Sequence, residues 1–420
     1  MRRILRAAGS VVLGCAAVVA GFGPLDALAQ SAGAADDGGL YGTVVTLEGK
    51  RLTGGLRWDR NERFWNDVLD ARKQLPDAAR SESDDVTVKL FGVTLFKRRE
   101  RWRQEGRLTV PFGDLARLET TWDGGARLIT KSGETLEALG GADLGSFRGL
   151  LVDDGTREHE IDWDDIVSIA FSPRTAQSSV AEGGAPAPRV GERRLYGTVE
   201  TDGRHWTGFI AWDRDEVLLD DILDGYEDRR SVEVAFEDIA EVVRSSHRGS
   251  IVKLHDGSER FLSGTNDVDD GHRGMDVLVP GLGRVRIPWD ETTRVVFRPP
   301  PASPAYAAFD GGGPLRARIE MTGGAALEGR LLWDLDEGFS FEELDGDLDE
   351  AEISVAFRNV AKIEPLSGGG SRVVLRDGSE LTLTGSNDVE SSNRGIQIWN
   401  DEGRVDEIAW ERIEAVVFPE

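Results

Sequence analysis

Three stretches of this chain repeat one another, and that repetition limits what it can fold into more than any other feature. Gly54-Gly-Leu-Arg-Trp-Asp-Arg-Asn-Glu62 returns as Gly208-Phe-Ile-Ala-Trp-Asp-Arg-Asp-Glu216 and again as Gly329-Arg-Leu-Leu-Trp-Asp-Leu-Asp-Glu337. Leu40-Tyr-Gly-Thr-Val44 matches Leu195-Tyr-Gly-Thr-Val199, and Asp256-Gly-Ser-Glu259 matches Asp377-Gly-Ser-Glu380. Each unit closes alike, on Ile166-Val-Ser-Ile-Ala-Phe171, Thr293-Arg-Val-Val-Phe297 and Ile413-Glu-Ala-Val-Val-Phe418. Matches in this order mark tandem units that share one local fold.

Composition shifts place the boundaries. Residues 174–194 and 299–314 are rich in Pro, Ala, Gly and Ser and read as unpacked linkers. Three repeat units follow, at 40–173, 195–298 and 315–420. Unit one carries an insertion at about 71–107. It includes Val86-Thr-Val-Lys-Leu-Phe-Gly-Val-Thr-Leu-Phe96, which reads as a hairpin, and the basic run Lys97-Arg-Arg-Glu-Arg-Trp-Arg103. That run reads either as a docking surface or as a solvated extension.

Within each unit the pattern doubles. In unit two, Thr198–Val243 and Ile251–Phe297 both read as strand, Asp-Gly turn, strand, middle strand, alternating strand, polar turn and final apolar strand. The period of two identifies half-buried strands, and Asp-Gly suits tight hairpins because glycine accepts positive φ. The fold class expected is therefore all-β: three tandem repeat domains, each of two small five-stranded halves. Five short strands with a one-turn helix before the last is the plan of SH3-like and Sm-like barrels. A lone half of about fifty residues would be marginal, so the two halves are expected to pair.

The N-terminus reads as a signal peptide over residues 1–29. Arg2, Arg3 and Arg6 precede an apolar stretch from Ala7 to Phe22, and Ala27-Leu28-Ala29 fits the small-x-small cleavage rule. The apolar stretch is too short for a comfortable membrane span, so the processed chain is not expected to be an integral membrane protein. The only cysteine, Cys15, follows Val12-Leu13-Gly14 and offers lipidation as the alternative. With cleavage after Ala29 the mature chain contains no cysteine and no disulfide. Export implies a periplasmic or extracellular location. The formal charge of −26 repels polyanions and argues against nucleic acid as a partner.

Few residues suggest chemistry. Six tryptophans recur in equivalent places: Trp58, Trp212 and Trp333 in first halves, and Trp163, Trp289 and Trp410 in second halves. They read as core residues with the indole N–H bonded to backbone. Trp206 and Trp399 do not recur and are better candidates for stacking on a sugar ring. The loop Asn266-Asp-Val-Asp-Asp-Gly-His-Arg-Gly274 recurs as Asn387-Asp-Val-Glu-Ser-Ser-Asn-Arg-Gly395. Its spaced oxygens make Asn266, Asp267, Asp269, Asp270, Asn387, Asp388 and Glu390 candidate Ca²⁺ ligands, with turn architecture as the competing reading. In unit one the matching Gly140–Gly149 stretch keeps one acid, Asp143, and is not expected to bind. A second acidic series follows each first-half tryptophan: Asp213, Asp215, Glu216, Asp220, Asp221 and Asp224, then Asp334, Asp336, Glu337, Glu342, Glu343 and Asp345.

No catalytic set stands out. The five histidines do not recur, and there is no zinc spacing or nucleophile elbow. The function expected is that of an exported, non-catalytic interaction or scaffold module whose partner is a protein or a polysaccharide. It would need no cofactor, and three units on linkers would bind multivalently. The alternatives are a Ca²⁺-dependent carbohydrate- or envelope-binding protein and a glycan hydrolase, the latter requiring two acids across a cleft.

Overall fold

The computed structural model describes residues 38–75 except 60, the backbone of 85–90 and 93–99, residues 105–174 except 146–148, and residues 193–419 except 247 and 401–402. The signal peptide and Cys15, nearly all of the first linker, and residues 100–103 of the basic run lie outside these residues. The described chain is all-β: antiparallel strands and one-turn 3₁₀ helices, with no α-helix. The strands make sheets of eight, twelve and eight strands and two two-stranded pairs.

Unit two shows how a doubled sequence is used. Its first half contributes Tyr196–Thr201, His205–Ala211, Ile222–Glu227, Arg230–Ala235 and Ile239–Ser246. Its second half contributes Gly249–Leu254, Glu259–Ser263, Met275–Val279, Gly283–Ile287 and Thr292–Phe297. The halves do not close separately. The opening hairpin of the first half pairs with the last three strands of the second, through Gly197↔Phe297 and Phe209↔Leu278. The opening hairpin of the second half pairs with the last three strands of the first, through Ile239↔Leu254 and Tyr226↔Ser263. The two final strands then join the groups at Val242↔Val295. Each group of five has the order last–first–second–third–fourth, but its strands come from both halves.

Alternation fills the space between them. Ile210, Trp212, Val252, Val277, Val285 and Val295 are fully buried. Each one-turn helix, Phe236–Asp238 and Trp289–Glu291, turns an aromatic ring inward. Trp212 meets Phe236 at 5.7 Å and Trp289 at 5.6 Å between ring centroids. Such tilted contacts add to the area that aromatic burial removes from water. Exchange of hairpins makes this one core rather than two small ones, which answers the size problem of a fifty-residue half.

Residues 35–420 form one compact unit. Gly283–Ile287 of unit two pairs with Ala351–Ala356 of unit three, Val285 opposite Ile353, so a continuous twelve-stranded sheet spans both. Ion pairs flank that seam, Arg284 to Glu343 at 2.9 Å and Arg286 to Glu352 at 3.3 Å.

The second linker is not unpacked, as its composition suggests. Tyr306 is buried in the core of unit one, its ring 4.4 Å from that of Trp65, and its hydroxyl donates to the Leu115 carbonyl at 2.8 Å. The Gly311 N–H donates to Asp114 at 3.0 Å, and Arg358 of unit three donates to the same buried carboxylate at 2.8 Å. The second linker is therefore held against units one and three rather than left as a flexible tether. In unit one, Val68–Gln74 pairs with Glu105–Pro111 down to Gln74↔Glu105. The inserted excursion is thus residues 75–104, and it holds the expected hairpin, Asp85–Leu90 against Val93–Arg99.

Candidate functional site

The same buried cluster recurs in all three units, beneath the tryptophan of the first half. In unit two the turn Trp212-Asp-Arg-Asp-Glu216 closes on itself: the Trp212 N–H donates to the Glu216 carbonyl at 2.8 Å, and the Glu216 N–H returns to Trp212 at 3.0 Å. The closure holds Asp213 at a φ of 44°, a left-handed conformation that aspartate tolerates better than most residues. Asp59 and Asp334 have the same conformation, at φ of 43° and 44°. The Asp213 carboxylate is thereby driven inside, where it is fully buried.

The loops singled out as Ca²⁺ candidates lie directly against this turn. The Trp212 indole donates to the Asp267 carbonyl at 3.1 Å, Trp333 to Asp388 at 3.1 Å, and Trp58 to Asp143 at 3.0 Å. Asp267 and Asp388 each accept a backbone N–H with one carboxylate oxygen, from Asp224 and Asp345, both at 2.8 Å. Asp143 accepts from Asp70 at 2.5 Å. Asn266 donates to Asp213 at 2.6 Å, and Asn387 donates to Asp334. Asp269 accepts the Gly271 N–H at 2.9 Å, Glu390 accepts the Gly385 N–H at 2.8 Å, and Asp270 is exposed. The structure brings Asn266 and Asp267, and Asn387 and Asp388, to the cluster. It leaves Asp269, Asp270 and Glu390 on the outer turn.

An arginine compensates the buried aspartate. Arg273 donates to Asp213 from its side chain at 3.1 Å and from its backbone at 2.5 Å; Arg394 donates to Asp334 at 3.0 and 2.7 Å from its guanidinium. Burial opposes the charge on Asp213, but these bonds together hold its carboxyl below the ordinary aspartate range. Beside it, His272 stacks on Trp289 at 4.2 Å and accepts the Gly274 N–H on Nδ1 at 2.9 Å. Burial pushes its pKa down to about 4, so the ring is neutral.

The third member is the glutamate that ends each turn. Glu62, Glu216 and Glu337 each keep one buried carboxylate oxygen without a hydrogen-bond partner. Burial, then the neighbouring Asp143, raises Glu62 to about 9; burial, then Asp267, raises Glu216 to about 8. Burial and Asp388 raise Glu337 well above the usual range. Burial likewise raises Asp143 and Asp267 to about 7 and Asp388 to about 8. Like charges this close cannot all ionise, so the clusters retain protons at neutral pH. In unit one an oxygen from each of Asp59, Glu62 and Asp143 falls within 4.8 Å of the others, so the convergent acids sit in the unit whose loop looked least able to bind. Sequence reasoning treated these residues as separate runs. The usable signal was Trp-Asp-x-x-Glu, present in all three copies.

Other acids of the series cap their own turns. Asp221 accepts the Val217 and Leu218 N–H groups at 2.7 and 2.8 Å, and Glu342 accepts those of Gly338 and Phe339 at 2.6 and 3.0 Å. Trp206 and Trp399 are partly buried. One void of about 110 Å³ lies at the junction of the three units, and an open depression of about 720 Å³ lies over Tyr226 and Phe261; neither is lined by a carboxylate cluster. Among the described residues no helix is long and apolar enough to cross a membrane. Comparison with protein-family models, curated proteins and solved structures finds no match.

Proposed function

We propose that the chain is an exported, non-catalytic scaffold or interaction protein of the cell envelope or exterior, whose partner surface lies on unit two. One observation carries the reading. Tyr226 and Phe261 are 45% and 48% exposed beside the open depression. The equivalent positions are Arg72 and Glu137 in unit one, and Asp347 and Thr382 in unit three. Exposed aromatics at one of three equivalent places suit a contact surface rather than folding, because the same fold is built twice without them. The buried clusters support the reading from the other side, since their oxygens are turned into the fold rather than towards the depression.

A photo-cross-linking amino acid at position 261 of the full chain, set against one at the exposed Trp122, tests this in the exported fraction of producing cells. The expected result is a discrete adduct from position 261 that Tyr226→Ser diminishes. Adducts no more defined than those from position 122 would overturn the proposal.

A further inference from the structure

The strand Val68–Gln74 of unit one ends against unit three, and its lysine enters that unit. Lys73 donates to the Glu342 carboxylate and to the Asp336 carbonyl, the latter at 2.9 Å. Its Nζ also stands 2.9 Å from Asp336 Oδ1, a buried oxygen that takes no hydrogen bond. Three oxygens of one short segment thus surround a group with three N–H donors and no acceptor. The side chains of Lys73, Asp336 and Glu342 are 15%, 13% and 3% exposed. Burial opposes the lysine charge, but Glu342, then Asp336 and Glu337, hold its pKa above the ordinary lysine value.

Seat and ligand each occur once, in the two units that meet. Glu342 fills the place of Asp67 and Asp221, whose carboxylates cap the same turn. Each gives one oxygen to two backbone N–H groups, and the longer Glu342 side chain carries its other oxygen out to Lys73. The turn itself reads Trp-Asp-Leu-Asp-Glu in unit three, against Trp-Asp-Arg-Asn-Glu and Trp-Asp-Arg-Asp-Glu. Leu335 packs against Leu75 and Leu332, where an arginine would bring a second cation beside Lys73. Lys73 in turn has Glu227 and Leu348 at the equivalent places of the other units. Gly106, on the paired strand, lets the backbone lie close, since a Cβ there would come 2.6 and 2.7 Å from the Asp336 carboxylate oxygens.

We infer that Asp336 and Glu342 form a primary-ammonium site, that Lys73 is its built-in ligand, and that this seat keys the stem of the unit-one insertion onto unit three. The site selects by shape as well as charge. A compact ammonium reaches all three oxygens, whereas a planar guanidinium spreads its donors over a wider fork. Arginine is therefore a poor substitute for Lys73 despite its charge.

Chemical rescue in the full chain tests the site. Lys73→Ala removes a propyl chain and its amine, the outline of n-propylammonium. The variant is expected to melt several degrees below the wild type, because it leaves buried carboxylates without their cation. Added n-propylammonium should raise its melting temperature along a saturating curve. Tetramethylammonium at equal ionic strength has no N–H to donate and should not. Lys73→Arg should melt with Lys73→Met, below the wild type. If Lys73→Ala does not fold alone, refolding yield in the two salts gives the same comparison. Equal responses of Lys73→Ala to both salts overturn the ammonium site, and so does Lys73→Arg as stable as the wild type. Amide hydrogen exchange tests the key. In Lys73→Met, exchange along Val68–Gln74 should quicken roughly tenfold or more, with little change along Ile413–Val417. Unaltered exchange along Val68–Gln74 would overturn the key, because the stem would then be held without its lysine.

Discussion

Replacing Glu62, Glu216 and Glu337 together by glutamine is expected to make the protein more stable in mild alkali and to flatten its loss of stability with rising pH. Each of these carboxyls has a folded pKa raised above its unfolded value of 4.5. Between the two values the folded chain binds more protons than the unfolded one, so stability falls as pH rises. The contribution is complete below about 4.5 and is lost towards pH 8 to 9. His272 acts in the opposite direction: its folded pKa is depressed to about 4, so the stability of the neutral ring is lost as pH falls through that value. Three raised glutamates outweigh one depressed histidine, so the stability these groups contribute should be greatest at about pH 4.5 and fall above it. Glutamine keeps the shape, carries no charge, and can donate to Asp143, Asp267 or Asp388. We expect the triple variant to gain on the order of 3 kcal/mol at about pH 8.5 and little at about pH 5. Urea unfolding at both pH values measures it. Equal effects at the two would show that these glutamates are ionised in the fold.

Removing Arg358 is expected to be the most damaging single change at the junction of units one and three. Asp114 is completely buried and accepts from Arg358, at 2.8 and 3.1 Å, and from the Gly311 N–H. Burial already raises the Asp114 pKa despite the arginine. Without the guanidinium the carboxylate must stay charged and uncompensated or take up a proton, and breaking a buried pair in this way costs about 3 kcal/mol or more. The loss should spread to residues 299–314, because Gly311 and the buried Tyr306 are anchored nearby, Lys131 bonding the Tyr306 carbonyl at 2.7 Å. We expect Arg358→Ala to lower the urea midpoint sharply and to expose this segment to proteolysis. Arg358→Ala with Asp114→Ala should recover much of the stability, because no orphaned charge remains. A double variant as unstable as the single one would show that the pair matters for packing rather than charge.

How much of this was legible in the sequence follows from what each feature depends on. Strand character is local, so the alternation around Ile210 and Trp212 identified strands and their buried face. The core tryptophans were legible for the same reason, down to the indole bonds of Trp58, Trp212 and Trp333 to backbone, but not for Trp289, whose buried indole N–H has no hydrogen-bond partner. Hairpin exchange was not, because either partner buries the same alternating face and local pattern does not choose between two similar hairpins. The seam at Val285 and Ile353 depends on edges that no local rule joins. Tyr306 was hidden by its proline-rich surroundings, since composition reports backbone freedom and not what one aromatic side chain can reach. The clusters were half legible. Trp-Asp-x-x-Glu could be read, but its meeting with Asp143, Asp267 or Asp388 needs the fold, which brings Asp59, Glu62 and Asp143 together from distant positions.

The central claim is that the repeated acidic clusters hold protons as part of the fold. A carboxyl carbon NMR titration of the full chain, with and without millimolar calcium, tests it most directly, the resonances being assigned by the single glutamine variants of Glu62, Glu216 and Glu337. The account predicts that Glu62 titrates near 9, Glu216 near 8 and Glu337 well above the ordinary glutamate range, and that calcium leaves them unmoved. Titration near the ordinary glutamate value of about 4.5, or a saturable calcium shift abolished by Asp143→Asn, would contradict it.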